Sequence, residues 1–97
     1  MNNKDLCKEF INGATKGKGS NMYIRDNKLY SYSTCICERI VNERGYYNFI
    51  HNKTKYSPTT SKQQYYLSNA LYGENVIEVD NIDLNTTSLI RYANKQK

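Results

Sequence analysis

The sequence predicts an α+β fold: a small antiparallel β-meander of four to five strands, flanked by an N-terminal helix and by a helix after the sheet. Three observations predict it. Residues 21–57 are rich in Tyr, Thr, Ile and Val and are broken at short intervals by turn residues. On either side lies a segment whose apolar residues recur at i, i+1, i+4 and i+5 before running into a glycine. The chain has 97 residues, enough for one small domain over 1–97 and too few for a second core.

Residues 1–13 are read as the first helix. Asn3 or Asn2 caps it, and Asp5 sits in the first turn, where the helix dipole favours an anion. Leu6, Cys7, Phe10 and Ile11 share one face, and Gly13 is the natural stop. The next segment, Ala14–Ser20, reads Ala-Thr-Lys-Gly-Lys-Gly-Ser and is expected to be a flexible basic loop. Its glycines and lack of apolar residues exclude a regular element.

The sheet occupies 21–57. Met22–Ile24 leads into Asp26-Asn27, a pair that tolerates positive φ. Leu29–Val41 is too long for one ordinary strand and predicts a bend or bulge near Ser33-Thr34. A second turn spans Asn42–Gly45 and a strand Tyr46–Ile50. A third turn, Asn52-Lys53, precedes a short strand Thr54–Tyr56.

The second helix spans 59–72, with Thr60 and Gln63 at capping-box spacing. Tyr66, Leu67, Ala70 and Leu71 form its apolar face, and Gly73 closes it. Residues 76–93 hold a short strand, Val76–Val79, and a terminal helix, Thr87–Ala93, anchored by Leu89, Ile90 and Tyr92. The tail Asn94–Lys97 is expected to fray.

Composition excludes several function classes. Lys and Arg number 14 against 9 Asp and Glu, a net charge of +5, and the excess lies in residues 1–62. Hydrophobic residues are 38%, so the 10 tyrosines must help to fill a thin core. No apolar run approaches the roughly 20 residues that span a bilayer, and the charged Met1–Lys8 is no secretory leader. A cytoplasmic protein without a membrane partner is expected. Its three cysteines, an odd number, are then expected to stay reduced.

No constellation carries catalysis. Period-2 alternation puts Cys35 and Cys37 on one strand face, and with Cys7 and His51 they make four potential zinc ligands. The Cys-x(2–4)-Cys knuckle of structural zinc sites is missing, so the thiols are read as core residues and no metal is expected. His51 lies beside no nucleophile or orienting carboxylate in the sequence. The run Gly13–Ser20 around Lys16 and Lys18 falls short of a Walker motif: three residues separate Gly13 from Gly17, and Gly19 follows Lys18. No cofactor is expected, and the chain is read as a non-enzyme.

Basic residues interleaved with aromatics are the most suggestive feature. Lys53, Lys55, Tyr56, Lys62 and Gln63 surround the junction of the hairpins with the second helix. Arg25, Lys28, Arg39 and Arg44 sit near turns. Lysines neutralise phosphates, and exposed tyrosine rings stack on unpaired bases. The contact candidates are Lys16, Lys18, Arg25, Lys53, Lys55, Tyr56, Lys62 and Gln63.

Three blocks carry a resemblance: Ser20-Asn-Met-Tyr-Ile24; Leu29-Tyr-Ser-Tyr32 with Thr34 and Ile36; and Thr54-Lys-Tyr-Ser57, Thr59-Thr-Ser-Lys62 and Gln64. Over residues 12–70 the chain resembles a family of small phage and mobile-element proteins that has no assigned biochemical activity. Gln63 stands where that family often has His, and Cys35-Ile-Cys37 where it often has Pro-Ile-Ala. Asn, Lys, Ile and Tyr make up 41 of the 97 residues, in keeping with an AT-rich phage or host genome. The resemblance implies a setting: a binding protein that antagonises a host defence nuclease or nucleoprotein complex, of the anti-CRISPR kind, with a CRISPR effector as its target. One alternative is a small basic phage protein that binds nucleic acid directly. A second is an oligomeric sponge for a nucleotide signal.

Overall fold

The computed structural model describes residues 1–86 and 88–95. Its nine elements run α1 (Asn3–Ile11), β1 (Lys16–Lys18), β2 (Met22–Arg25), β3 (Lys28–Ser31), β4 (Thr34–Val41), β5 (Tyr47–Asn52), α2 (Pro58–Ala70), β6 (Asn75–Val79) and α3 (Ile90–Lys95). The strands form one sheet in chain order. The class is α+β, but the sheet has six strands rather than four to five, and it is mixed. Pairings from β1 to β5 are antiparallel, whereas β6 lies parallel to β5. The reason is the connection: α2 carries the chain back across the sheet, and such a crossover returns a strand parallel to the one it left.

Two apolar clusters sandwich the sheet. On one face Leu6, Cys7 and Phe10 of α1 and Leu67 and Leu71 of the α2 side pack on Met22, Ile24, Leu29, Ile36, Cys37 and Phe49. On the other, Ile82, Leu89 and Ala93 pack on Tyr30, Cys35, Ile50 and Val79. The apolar faces expected of the first two helices are the faces that pack, with Tyr66 and Ala70 partly buried at the margin of the first cluster. Asn2 caps α1, its side chain accepting from Asp5 N at 2.8 Å. Gly13 ends the helix at φ 104°, a conformation that strains any residue with a Cβ.

Several local expectations are corrected. The segment expected to be a loop contains β1, whose Gly17 lies close against Leu6 of α1. A Cβ there would lie 2.9 Å from Leu6 Cδ1. The long run Leu29–Val41 is two strands joined by a tight turn, in which Tyr32 takes φ 55°. Its bulge lies at the register step where Leu29 faces Cys37 but Tyr30 faces Cys35. Ile36 is the extra residue. The bulge therefore breaks the alternation, and Cys35 and Cys37 point to opposite faces of the sheet.

Thr54–Tyr56 is not a strand. Side chains replace its ladder: Gln64 Nε2 donates to Asn52 O at 2.6 Å and to Thr54 O at 3.0 Å. Thr54 N donates to Asn52 Oδ1. The cap of α2 is Ser57, three residues before the expected Thr60, with Pro58 in the first turn, where a missing N–H costs nothing. Thr60 N donates to Ser57 Oγ at 3.2 Å. Ser57→Ala is expected to lower stability by about 1 kcal/mol, read as a shifted urea midpoint with unchanged slope.

The terminal helix begins at Ile90, and Thr87 lies outside the described residues. Its approach is fastened by the buried Glu38, whose Oε1 accepts from Leu89 N at 2.7 Å and Ser88 Oγ at 3.3 Å. Of the tail expected to fray, Asn94 and Lys95 belong to α3, and Gln96 and Lys97 lie outside the described residues.

Candidate functional site

The face of the sheet opposite α1 collects cations over β1–β3. Gly17 turns toward Leu6 and Ile24, so alternation sends Lys16 and Lys18 to the other side. Their register partners are Arg25 and Tyr23, which in turn face Lys28 and Tyr30 on β3. Cross-strand partners share a face. Lys16, Lys18 and Arg25 are exposed, Lys28 and Tyr23 half-buried, and Tyr30 nearly buried against the second apolar cluster.

At the centre the Tyr23 and Tyr30 rings are stacked, with centroids 4.8 Å apart and planes 12° from parallel. Burial raises the Tyr30 phenol above its ordinary value, with Cys35, Tyr23 and Glu38 acting in the same sense and Arg25 opposing them. Burial therefore favours the neutral phenol at Tyr30. None of the four cations forms an ion pair; Lys53–Glu78, at 3.3 Å, is the ion pair among the described residues. Two acids border the patch. Glu38, opposite Lys28, is buried and committed to Leu89 N, while Asp26 lies in the β2–β3 turn.

Of the eight residues singled out from sequence, Lys16, Lys18 and Arg25 thus come together. Tyr23 and Tyr30 were missed, and Lys28 was noted near a turn but not taken as a contact, although the two-residue Asp26-Asn27 turn already implies the pairs Arg25–Lys28 and Tyr23–Tyr30. The other five lie elsewhere. Lys53 and Lys55 border a hollow of about 240 Å³ with Gln64 and Tyr65. Tyr56 is structural, its hydroxyl donating to Ile82 O at 2.7 Å and accepting from Asn52 Nδ2 at 2.9 Å.

Lys62 and Gln63 line a separate cleft of about 560 Å³ between the first turns of α1 and α2, with Asn3, Lys4, Asn21 and Tyr66. Side chains from α1, β3, α2 and the turns beside the strands meet at and behind its wall. Asn21 Oδ1 accepts from Asn3 and Gln63, and its Nδ2 donates to the Tyr32 hydroxyl at 3.1 Å. Gln63 accepts from Ser31 Oγ, which lies 3.4 Å from Thr60 Oγ1. These amides and hydroxyls satisfy one another and tie both helices to the sheet. The Lys62 ammonium lies 5.9 Å over the Tyr66 ring.

Nucleophiles and bases are locked away. Burial pushes the Cys7 and Cys35 thiols up to about 12 and Cys37 well above its usual value. A protonated buried thiol is inert. His51 is buried, Nε2 has no partner, and the side chain borders a hollow of about 270 Å³ with Ser68 and Glu78. Burial, then the charge of Lys53, pulls its pKa from 6.5 down to about 4, against an opposing pull from Glu78. Across the ladder it meets the neutral thiol of Cys37. Among the described residues no three His, Cys, Asp or Glu side chains are grouped to hold a metal.

The fold therefore holds His51 neutral, while the unfolded chain takes up its proton near pH 6.5. Stability is full above that value, falls as pH drops, and stops falling on this account near pH 4. The loss amounts to about 3 kcal/mol. His51→Leu is expected to flatten this limb, seen in urea midpoints between about pH 7 and pH 4.5.

No protein-family model, curated protein or solved structure matches the chain. No helix among the described residues is long and apolar enough to cross a membrane.

Proposed function

We propose that this is a non-enzymatic binding protein of the phage or mobile-element kind. It antagonises a host defence nuclease by occupying a nucleic-acid-bearing surface of that complex, as an anti-CRISPR protein does. The observation that supports this reading is the β1–β3 face, where four cations without ion-pair partners flank a stacked tyrosine pair. Such a face is suited to a polyanion and to partners that expose guide or target strands. The burial of all three thiols and of His51 fits a protein that acts by occupancy rather than by turnover.

The test is protection. Expressed in cells carrying a CRISPR system, the wild-type chain is expected to raise the plating of a targeted phage. A chain with Lys16, Lys18 and Arg25 changed to Glu is expected not to. Unchanged plating with the wild-type chain across the defence systems tried contradicts the reading.

A second reading, a sponge for a phosphorylated nucleotide, is favoured by the 560 Å³ cleft with Lys4 and Lys62 on its rim. It requires that a nucleotide raise the melting temperature and that Lys62→Glu remove the rise.

A further inference from the structure

We infer that the β1–β3 face takes a single-stranded nucleic acid, one unpaired base stacking on the Tyr23 ring while phosphates lie along Lys16, Lys18, Arg25 and Lys28. The inference rests on the reading above that this face is the binding surface, and it names what the surface holds.

The geometry comes from the sheet. Tyr30 on β3 covers one side of the Tyr23 ring, so the other side looks toward β1, where Lys18 is the register partner. The stack holds the ring in place before anything binds, so little side-chain freedom is lost when a base joins. Neighbouring strands are about 5 Å apart, and residues two apart along a strand about 7 Å. Lys16, Arg25 and Lys28 therefore form a row beside the stack, and Lys18 stands at its β1 end, within reach of the phosphates next to one base. Lys18 has a flexible four-carbon stem, so its ammonium can lift to a phosphate as the base takes the ring. A duplex keeps its bases stacked inward, and this flat face offers no helix to enter a groove. An unpaired base offers a free π-face whatever its identity. Charge and ring together favour a single strand over an acidic protein surface, which would use the lysines and leave the stack idle.

The experiment is fluorescence anisotropy on the full chain with labelled single-stranded DNA, single-stranded RNA and a duplex of the same sequence. Both single strands are expected to bind more tightly than the duplex. Their affinity is expected to fall with salt at a log–log slope of about −2 to −3, as for three or four phosphates. Tyr23→Phe, which keeps the π-face, is expected to bind like the wild type. Tyr23→Leu, which keeps the apolar bulk over Tyr30, is expected to lose about tenfold. Equal binding of single strand and duplex, or no loss in Tyr23→Leu, overturns the inference and leaves a charge-only docking face. If no oligonucleotide binds while the charge-reversed chain still loses phage protection, the inference falls and the face holds an acidic protein surface. If charge reversal leaves protection intact, the functional reading itself falls.

Discussion

Replacing Arg39 with alanine is expected to destabilise the protein by about 3–5 kcal/mol, the largest loss foreseen for one surface-type residue. Arg39 is basic in sequence and structural in the fold. Its side chain is buried, and Nη1 donates to Phe10 O at 2.6 Å and to Ala14 O at 3.0 Å, while Nη2 donates to Asp26 O at 3.3 Å. The guanidinium also lies 4.9 Å from the centroid of Phe10 and 5.3 Å from that of Tyr47. One planar fork thus joins the end of α1, the segment before β1 and the β2–β3 turn. It meets the negative pole of the α1 dipole as it does so. Alanine leaves those carbonyls short of donors and opens a gap between two rings. Arg39→Lys is expected to recover only part of the loss, because a point ammonium cannot reproduce the fork. Urea unfolding at neutral pH measures both. A loss below about 1 kcal/mol for the alanine variant contradicts this account.

Charge reversal on the exposed cations is expected to act in the opposite way, on binding rather than on stability. Lys16→Glu, Lys18→Glu and Arg25→Glu together are expected to weaken oligonucleotide binding by about 100-fold or more at low salt, because each phosphate contact becomes a repulsion. The melting temperature is expected to move little, since the three side chains are exposed and make no ion pair. Reversal of Lys53, Lys55 and Lys62 serves as the comparison. Those residues lie at other surfaces, so only the long-range part of the field changes, and the loss is expected to stay within a few-fold. Equal losses in the two triple variants indicate that net charge, not the face, drives binding.

The readable parts of the fold were those carried by neighbours in sequence. Asn2 and Gly13 bound α1, Asp26-Asn27 makes the β2–β3 hairpin, and the Leu67 and Leu71 face of α2 packs as its spacing implies. Ser57-Pro58 also carried the start of α2, since Pro favours the first helical position after a Ser cap, although Thr60-x-x-Gln63 competed with it. What the sequence concealed depends on tertiary contact. β1 forms by pairing with β2, with Gly17 close against Leu6, and no local propensity favours Lys-Gly-Lys as a strand. The bulge at Ile36 reverses the side of every residue before it in β4, which defeats a parity argument about Cys35 and Cys37. The direction of β6 follows from the crossover through α2 rather than from Val76–Val79. The site shared this fate. Lys16, Lys18 and Arg25 stood out by type, but they become one surface with Tyr23 only once β1 pairs with β2. Arg39 stood out by the same criterion and serves the core.

The most direct test is backbone NMR of the full chain titrated with a short single-stranded oligonucleotide. Perturbed amides are expected to cluster at Lys16–Lys18, Tyr23, Arg25, Lys28 and Tyr30, with the Tyr23 ring protons shifting upfield as a base stacks on them. Shifts gathered instead around Asn3, Lys4, Lys62 and Tyr66 would place the ligand in the cleft between the helices and contradict the assignment of the sheet face.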